Sequence, residues 1–568
     1  MERRTSSAIG MAAMVLSLAG AGEATAQRPP TMAARSTVYA PRGVIATSQP
    51  LASAAGLAVL RRGGNAVDAA VTAAAVLTVV EPHMVGLGGD LFAMVWSARD
   101  GRLYGLNASG RSGAGMTREA LAGRGLERVP SRGAAAVTVP GALSGWVALL
   151  ERHGTLTLAE ALAPAIEYAE VGFPVSPLIA GEWAAEASTL RRDAGARATY
   201  LVDGERGPGA GEWFRNPDYA RTLRELASRG PSHLYGGALG QRIAEHVRAE
   251  GGFLTAADFA AHEPVWVEPV SVPYKGYRLW ELPPNGQGIA ALEMLRILEK
   301  YDLEAMGHNS TAYLHHLIEA KKLAYADIES YVGDPAHMEI QPEQLLSDRY
   351  IETQRGRIDP RRAAERVDPG SAVTASETIY LTVADEAGNM VSFINSLYSA
   401  FGSGVVTPGT GFALQNRGSG FTMEEGQANT VAPGKLPFHT IIPAFVTRTT
   451  RTAGVSRESA GEEPWLSFGV MGGAMQPQGH VQVLLNLVEF DMDLQAAVDA
   501  ARFRHLSGRR VAIEASVGDD VRSALTAMGH ELVDDANVAF GGAQLIRKLA
   551  RGWAAASDPR KDGLAIGY

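Results

Sequence analysis

The stretch Glu377-Thr378-Ile379-Tyr380-Leu381-Thr382-Val383-Ala384-Asp385 predicts a β-strand that begins at a threonine. A glycine-containing turn at 385–389 then leads into a second predicted strand, Met390–Asn395. If the chain were cut just before Thr378, this residue would carry both a hydroxyl and a free α-amine. Such an amine has a pKa of about 8 and can act as the base for its own hydroxyl. Threonine is also an ordinary strand residue, so the spacing alone favours a structural role.

Further motifs occur in the order in which one enzyme family has them. They are Ala52–Leu57, Gly63–Ala70, Gly86–Asp90, Val139–Gly141, Pro164–Ile166, Glu319–Asp327, Phe401–Gly404, Gly472-Gly473, Ala556–Arg560 and Gly567-Tyr568. On these motifs the sequence resembles the gamma-glutamyltransferase (glutathione hydrolase) family of N-terminal nucleophile hydrolases. The resemblance covers nearly the whole chain. It implies an α/β fold, a four-layer αββα sandwich, and a precursor that cuts itself.

The resemblance gives roles to the residues of the catalytic group. Thr378 is the nucleophile, which first attacks the Glu377 carbonyl to cut the chain and later attacks a substrate amide to form an acyl-enzyme. Ser396 takes the place of a threonine that lies close to the nucleophile's amine. Gly472 and Gly473 supply the oxyanion hole, because glycine lets backbone N–H groups approach the reacting oxygen.

The substrate-binding part departs from the family's usual pattern. Ser109 stands where the family has the arginine that grips the glutamyl α-carboxylate, and Arg111 follows two positions later. A serine hydroxyl cannot reproduce a bidentate arginine–carboxylate contact. The sequence is therefore similar to a divergent branch that includes oxamate amidohydrolase and cephalosporin-acylase-like members. The expected substrate-binding residues are Arg111, Asn416, Arg417, His439 and Thr440; Arg417 replaces a glutamine, and the last two replace paired serines.

Three functions remain open at this stage. The first is a self-processing amide hydrolase or acyltransferase, with γ-glutamyl compounds such as glutathione as the default substrate and water or an amine as the acceptor. The second keeps the mechanism but acts on a non-glutamyl amide, such as oxamate or a glutaryl amide, and Ser109 favours it. The third is an uncleaved binding protein without turnover, which the intact Thr378, Ser396 and glycine pair disfavour. No cofactor and no metal ion are expected.

The composition excludes several other classes of protein. A chain of 568 residues with 46% apolar side chains can bury a large core. It has no cysteine, which excludes disulfides, zinc–thiolate sites and a thiol nucleophile. Its net charge of −9 and scattered basic residues argue against a nucleic-acid partner. His315 and His316 are adjacent on a predicted helix and make a poor metal pair, and His480 is interpreted as structural.

The N-terminus predicts export. Arg3-Arg4 precedes the apolar run Ile9–Ala21, and Ala24-Thr25-Ala26 forms a small-residue cleavage site before Gln27. The run is too short to span a bilayer, and no later segment predicts a membrane helix. We therefore expect a signal peptide at 1–26, a large fragment at 27–377 and a small fragment at 378–568. The two fragments are expected to stay together as a heterodimer in the periplasm or outside the cell.

Hydrophobic periodicity predicts most of the remaining elements. Expected helices are Leu51–Leu60, Ala66–Val79, Ser144–Ala169, Ile289–Tyr301, Thr311–Val332, His480–Val488 and Leu494–Ala501, and expected strands are Leu91–Trp96, Val265–Tyr274 and Pro464–Val470. The helix at Ala66–Val79 is apolar on nearly all faces, which predicts complete burial. The region Arg355–Ser376 has few large apolar residues and predicts an exposed linker before the cut.

Overall fold

The computed structural model describes residues 35–365, 377–450, 461–535 and 538–568. Its strands are β1 (Val38–Ala40), β2 (Val44–Thr47), β3 (Asp90–Ser97), β4 (Arg102–Ala108), β5 (Phe173–Pro174), β6 (Trp213–Phe214), β7 (Val265–Val267), β8 (Val270–Tyr274), β9 (Tyr277–Glu281), β10 (Glu377–Ala384), β11 (Met390–Tyr398), β12 (Ala444–Thr450), β13 (Gly461–Met471), β14 (Phe503–Ser507), β15 (Arg510–Ile513), β16 (Glu531–Leu532), β17 (Gly542–Lys548), β18 (Trp553–Ser557) and β19 (Leu564–Gly567).

The α-helices surround these strands. They are α1 (Pro50–Arg61), α2 (Ala66–Val80), α3 (Arg118–Ala122), α4 (Ala142–His153), α5 (Leu158–Val171), α6 (Pro177–Ala185), α7 (Ala187–Leu190), α8 (Ala194–Tyr200), α9 (Pro217–Arg229), α10 (Ala238–Ala249), α11 (Ala256–Ala260), α12 (Gly288–Leu298), α13 (Leu303–Met306), α14 (Thr311–Tyr331), α15 (Pro342–Leu345), α16 (Asp348–Arg355), α17 (Met475–Val488), α18 (Leu494–Asp499) and α19 (Asp519–Ala527). In the described ranges, none is long and apolar enough to cross a bilayer.

Two seven-stranded sheets form the centre of the molecule. One has the strand order β19-β2-β10-β11-β3-β4-β7, and the other has the order β1-β18-β17-β13-β12-β9-β8. The hairpin β10–β11 lies in the middle of the first sheet, with β2 on one side and β3 on the other, and all three pairings are antiparallel. The predicted nucleophile therefore lies on a central strand, which pairs with β11 along its length and with β2 over residues 382–384.

Three separate hydrophobic cores show how the layers stack. One lies between the first sheet and α1, α2, α4, α5 and α9; one lies between the two sheets; and one lies between the second sheet and α12, α14, α17 and α18. Side chains along β10 alternate between two of these cores. Leu381 and Val383 face the helices packed on the first sheet, while Tyr380 faces the other sheet. The predicted four-layer αββα sandwich is confirmed.

Two sequence predictions need correction. The single helix expected at Ser144–Ala169 is two helices, because α4 ends before Gly154 and the capping box of Thr157 and Glu160 starts α5. The strand expected at Val265–Tyr274 is also divided. Its first part, β7, pairs with β4, whereas its second part, β8, belongs to the other sheet. The predicted burial of α2 is confirmed at all of its residues, and the segment 366–376 of the predicted linker lies outside the described residues.

The close contact between the sheets generates a stability prediction. A Cβ at Gly469 would lie 2.4 Å from the Tyr380 ring in the layer between the sheets. Overpacking of this kind costs about 1–3 kcal/mol, so Gly469→Ala should lower the Tm in calorimetry. Gly181→Ala on α6 is the control, because its Cβ would meet no atom within 4 Å and alanine favours helix. Equal Tm values for the two variants would contradict the packing described.

Candidate active site

Thr378 lies at a β-bulge in the central hairpin. Glu377 pairs with Tyr398 and Ile379 with Asn395, so two residues of β11, Ser396 and Leu397, face the single residue Thr378. A bulge bends the strand and redirects side chains, and bulges are frequent beside active sites. Thr378 is 1% exposed, and its Oγ1 donates to Ser396 Oγ at 3.2 Å. The structure thus brings the predicted nucleophile and the predicted hydroxyl partner together.

The end of β11 supports this pair of hydroxyls. Ser396 Oγ also accepts from the backbone N–H of Tyr398 at 2.8 Å and from Arg417 Nη2 at 3.4 Å. Tyr398 has a φ of +81°, which is uncommon for a residue with a side chain. This turn brings its ring against the guanidinium of Arg417, whose Cζ lies 4.1 Å from the ring centroid. Such a cation–π contact fixes the orientation of the guanidinium.

Arg417 is a fully buried cation without a direct counter-ion. Its Nη1 donates to Thr440 Oγ1 at 2.8 Å and its Nη2 to Ser396, while Nε has no partner. Among the described residues, no carboxylate forms an ion pair with it. Burial lowers the pKa of Arg417 to about 10, and the charges of Asp90 and Tyr398 act in the opposite direction. A guanidinium has five N–H donors, so this group has donors left for an anionic ligand.

Asp90, the first residue of β3, holds three segments around the site. Its Oδ1 accepts from the backbone N–H of Gly110 at 3.0 Å and from Gln415 Nε2 at 2.9 Å. Its Oδ2 lies 2.9 Å from Nε2 of His439. Burial raises the pKa of Asp90 to about 7, and the charge of Arg417 is the largest influence that lowers it. In the sequence, Asp90 stands out only as the last residue of the family motif Gly86–Asp90. Its role in the site was therefore not predicted from the sequence.

His439 is neutral and contacts Asp90 through one tautomer. Its Nδ1 accepts from the backbone N–H of Ile441 at 3.3 Å, so Nε2 carries the proton and donates to Asp90 Oδ2. Burial lowers the pKa of His439 well below its usual range, and the positive charge of Arg417 lowers it further. The neighbouring residue Thr440 binds Arg417. The pair that replaces the family's serines therefore contacts both charges of the site.

The two other predicted substrate-binding residues are engaged elsewhere. Arg111 is about half exposed and donates to Asp334 Oδ2 and to the carbonyl oxygen of Gly434, both at 3.0 Å. Asn416 Nδ2 donates to the backbone of Ser131 and to Ser399 Oγ, and its Oδ1 accepts from the N–H of Ser399. The structure does not join Arg111 to the cluster of Thr378, Ser396 and Arg417. Asn416 shapes the loop that carries Arg417.

The position of the missing arginine is filled by a neutral network. Ser109 is buried, donates to Asn107 Oδ1 at 2.7 Å and accepts from Asn285 Nδ2 at 3.3 Å. Asn285 also donates to the carbonyl oxygen of Pro437 at 2.7 Å. These bonds occupy Ser109 with amide partners, and they hold the segment before His439. No sequence pattern points to Asn285, because asparagine in a Pro/Gly loop is an ordinary turn residue.

The glycine pair lies at the turn between β13 and α17. Gly472 and Gly473 have φ values of +120° and +60°, which favour glycine. Their carbonyl oxygens accept from the N–H groups of Met475 and Gln476, at 3.0 and 3.1 Å, and Gln287 Nε2 donates to Gly473 at 2.8 Å. Within the described residues, neither glycine N–H donates to a backbone carbonyl. The oxyanion-hole role of these N–H groups stays a prediction.

Two histidine clusters lie apart from this site. His480 Nδ1 lies 2.8 Å from Glu281 Oε1 in the core, where burial raises the pKa of Glu281 well above its usual range and lowers that of His480 to about 3. Burial thus disfavours the charged form of both groups, which supports a structural role. In the described ranges, one set of three metal-type ligands occurs, His315, Glu319 and His530. Lys322 Nζ lies 2.7 Å from Glu319, and its positive charge opposes a cation there.

Comparisons with known proteins show the family to which the chain belongs. The gamma-glutamyltranspeptidase family model matches residues 52–568, so the chain belongs to that family. It is 37% identical to the glutathione hydrolase-like YwrD proenzyme of Bacillus subtilis, over 94% of this chain and 99% of the relative. It is 36% identical to the oxamate amidohydrolase proenzyme of Klebsiella pneumoniae, over 93% of this chain and 98% of the relative. The family resemblance drawn from the motifs is confirmed.

A solved structure shows the same fold. The cephalosporin acylase from Bacillus halodurans superposes with a TM-score of 0.88 and 42% sequence identity, over 95% of this chain and 98% of that one. The protein is therefore a hydrolase or transferase of the N-terminal nucleophile type, as the fold prediction states. Its relatives are named as proenzymes.

The contact between the two hydroxyls generates a kinetic prediction. Ser396→Ala removes the hydroxyl that accepts from Thr378, and a lost hydrogen bond of this kind costs about 1–3 kcal/mol. We expect kcat of the processed enzyme to fall by roughly ten- to a hundredfold. Ser396→Thr keeps the hydroxyl and should retain most of the activity. Full activity of the alanine variant would show that Ser396 does not act on the nucleophile.

Proposed function

We propose that this protein cuts its own chain before Thr378 and then uses Thr378 to hydrolyse or transfer amides. In the precursor, Thr378 Oγ1 attacks the carbonyl carbon of Glu377, and the peptide bond becomes an ester. Water hydrolyses the ester and frees the α-amine of Thr378. The observation that carries this proposal is the buried Thr378 hydroxyl at the bulge, bonded to Ser396 at 3.2 Å.

The processed enzyme would repeat the same attack on a substrate. The free α-amine accepts the proton of Oγ1, and the oxygen attacks the amide carbon. The N–H groups of Gly472 and Gly473 stabilise the oxyanion of the tetrahedral intermediate. Its collapse expels the amine, which takes up the proton, and leaves an acyl group on Oγ1. Water then completes hydrolysis, or a second amine completes transfer.

Arg417 favours a substrate with a carboxylate close to the scissile amide. Its guanidinium is linked through Ser396 Oγ to Thr378 Oγ1, so it lies two hydrogen-bond lengths from the nucleophile. A carboxylate bonded directly to the scissile carbonyl, as in oxamate, fits this spacing. A buried guanidinium without a counter-ion is costly, and a bound carboxylate would remove that cost. An oxamate-like amide is therefore the preferred substrate class, ahead of a longer glutaryl amide.

γ-Glutamyl compounds such as glutathione are the second candidate. Membership in the family and the similarity to a glutathione hydrolase-like proenzyme favour them. The α-carboxylate of a γ-glutamyl group lies three carbons from the scissile carbonyl and needs a cation further from Thr378. Arg111 is the charged residue nearest in sequence to the family's position, but it is paired with Asp334. Because Arg111 is already paired, glutathione is the less favoured of the two candidate substrates.

The cut would leave two interleaved fragments. In the first sheet, β19, β10 and β11 come from 378–568, whereas β2, β3, β4 and β7 come from 27–377. In the second sheet, four adjacent strands of the small fragment, β18, β17, β13 and β12, lie between β1 on one side and β9 and β8 on the other, which come from the large fragment. Separation would expose buried strand edges, so the fragments would remain a heterodimer. We propose that residues 1–26 direct export to the periplasm or beyond and are then removed.

Self-processing is tested by the masses and N-termini of the purified protein. Wild type is expected to give two chains, beginning at Gln27 and Thr378. Thr378→Ala lacks the attacking hydroxyl and should keep residues 377 and 378 joined, whereas Thr382→Ala, further along the same strand, should be processed. An intact wild-type chain that still hydrolyses an amide would contradict the mechanism, and a chain that begins at Met1 would contradict export.

The substrate class is tested with a matched pair of variants. Arg417→Lys keeps the charge but loses the planar guanidinium, so kcat/KM for oxamate should fall by roughly ten- to a hundredfold. Arg111→Lys is the control and should leave this value unchanged. Glutathione hydrolysis should be slower than oxamate hydrolysis in wild type. If glutathione is the better substrate and only Arg111→Lys impairs its hydrolysis, the second candidate is the correct one.

A further inference from the structure

We infer that Asp90 and His439 act together as a proton-accepting pair, which takes up one proton when a carboxylate ligand binds Arg417. This inference rests on the proposed carboxylate site at Arg417. Proton uptake by the pair would select for anionic substrates, because only a negatively charged ligand requires the added proton. Neither residue touches the reacting atoms in this account, so both are positioning residues.

The geometry joins the pair to the site. Asp90 and His439 are both fully buried, and their facing atoms lie 2.9 Å apart. Asp90 is the register partner of Ser396 on the neighbouring strand. Thr440, which follows His439, accepts a hydrogen bond from Arg417. The pair therefore lies beside the nucleophile hairpin on one side and beside the anion-binding guanidinium on the other.

With Asp90 ionised and the Thr378 amine neutral, the charges of the empty site balance. Arg417 contributes one positive charge and ionised Asp90 one negative charge, while His439 is neutral. A ligand carboxylate adds a second negative charge in a region closed to water, which is unfavourable unless it is compensated. One proton from the solvent restores neutrality. The ligand also neutralises Arg417, which removes the main charge that favours ionised Asp90.

Few other groups can take this proton. Tyr398 lies over Arg417, and Tyr235, whose hydroxyl donates to the carbonyl of Pro140, is close enough to Asp90 for the charge of Asp90 to raise its pKa. Burial raises the pKa of both phenols, so they are already protonated at neutral pH. After processing, the α-amine of Thr378 is the remaining competitor, and a variant must distinguish it from the pair.

The pair can bind the added proton with the loss of only one long hydrogen bond. The contact between His439 Nδ1 and the N–H of Ile441 is long, at 3.3 Å. The imidazole can therefore give up that bond, either by becoming charged or by moving its own proton from Nε2 to Nδ1 while Asp90 becomes protonated. Both arrangements contain one added proton, and the proton belongs to the pair. Since burial brings the pKa of Asp90 to about 7, we expect the proton uptake to occur near neutral pH.

The direction in which ligand affinity changes with pH follows from the coupling between ligand binding and proton binding. Ligand binding raises the pKa of the pair, so binding is strongest below the pKa of the free enzyme. It weakens as the pH rises between the pKa of the free enzyme and that of the complex, by up to about tenfold per pH unit. The suitable probe is pyruvate, which has the carboxylate–carbonyl spacing of oxamate but no amide to cleave.

The experiment is calorimetric titration of the processed wild-type enzyme with pyruvate, in buffers of different ionisation enthalpy between pH 6 and 9. We expect an uptake that approaches one proton per bound pyruvate above pH 7, and a Kd that rises with pH. Asp90→Asn should abolish the uptake and flatten the pH dependence. Asp100→Asn is the matched control, because that carboxylate lies beyond the other end of β3, paired with Arg99 at the surface.

Each outcome decides the question. Binding of pyruvate by wild type without proton uptake contradicts the inference and leaves the proposed function intact, and this measurement needs no variant. Uptake that persists in Asp90→Asn also contradicts it, because the proton then does not depend on the carboxylate of the pair. If pyruvate does not bind, or binds equally well to Arg417→Lys, the carboxylate site itself is wrong and the inference fails with it.

Discussion

The register of the central hairpin is the constraint on which the rest of the site depends. The extra residue of β11 opposite Thr378 redirects the strand end, so that the hydroxyls of Thr378 and Ser396 meet at 3.2 Å. The same strand end turns Tyr398 into a left-handed conformation and against Arg417. Because β11 is paired with β10 on one side and, up to Ser396, with β3 on the other, these positions cannot relax independently.

Charge then decides what the site can bind. The catalytic half consists of hydroxyls and backbone groups, which place no demand on the acyl part of a substrate. The acyl side has one buried guanidinium, stabilised by an aromatic ring and by the more distant Asp90. Ser109 is neutral and occupied by Asn107 and Asn285. Under the proposed function, Thr378 is the nucleophile and Arg417 supplies the positive charge of the acyl side, which would change the distance between carboxylate and amide in the preferred substrate.

Local patterns in the sequence predicted the central hairpin and most of the helices, whereas the resemblance to the family predicted the four layers and the place of Ser396 close to Thr378. They failed where one apolar pattern covers two elements, as in α4 and α5, because a capping box interrupts the run. They also failed for Asp90, since its partners Gly110, Gln415 and His439 are distant in sequence and meet only in the fold. Arg111 was expected near the substrate because of its sequence position, yet Asp334 holds it at the surface.

The central claim is that Thr378 carries the acyl group during turnover. The most direct measurement is the mass of the small fragment, quenched in acid during steady hydrolysis of an oxamate-like anilide and followed by fragmentation of the chain. The account predicts a mass increase equal to the acyl group, located on residue 378 and absent when substrate is omitted. Rapid turnover with an unmodified fragment, or an adduct on any other residue, would contradict it.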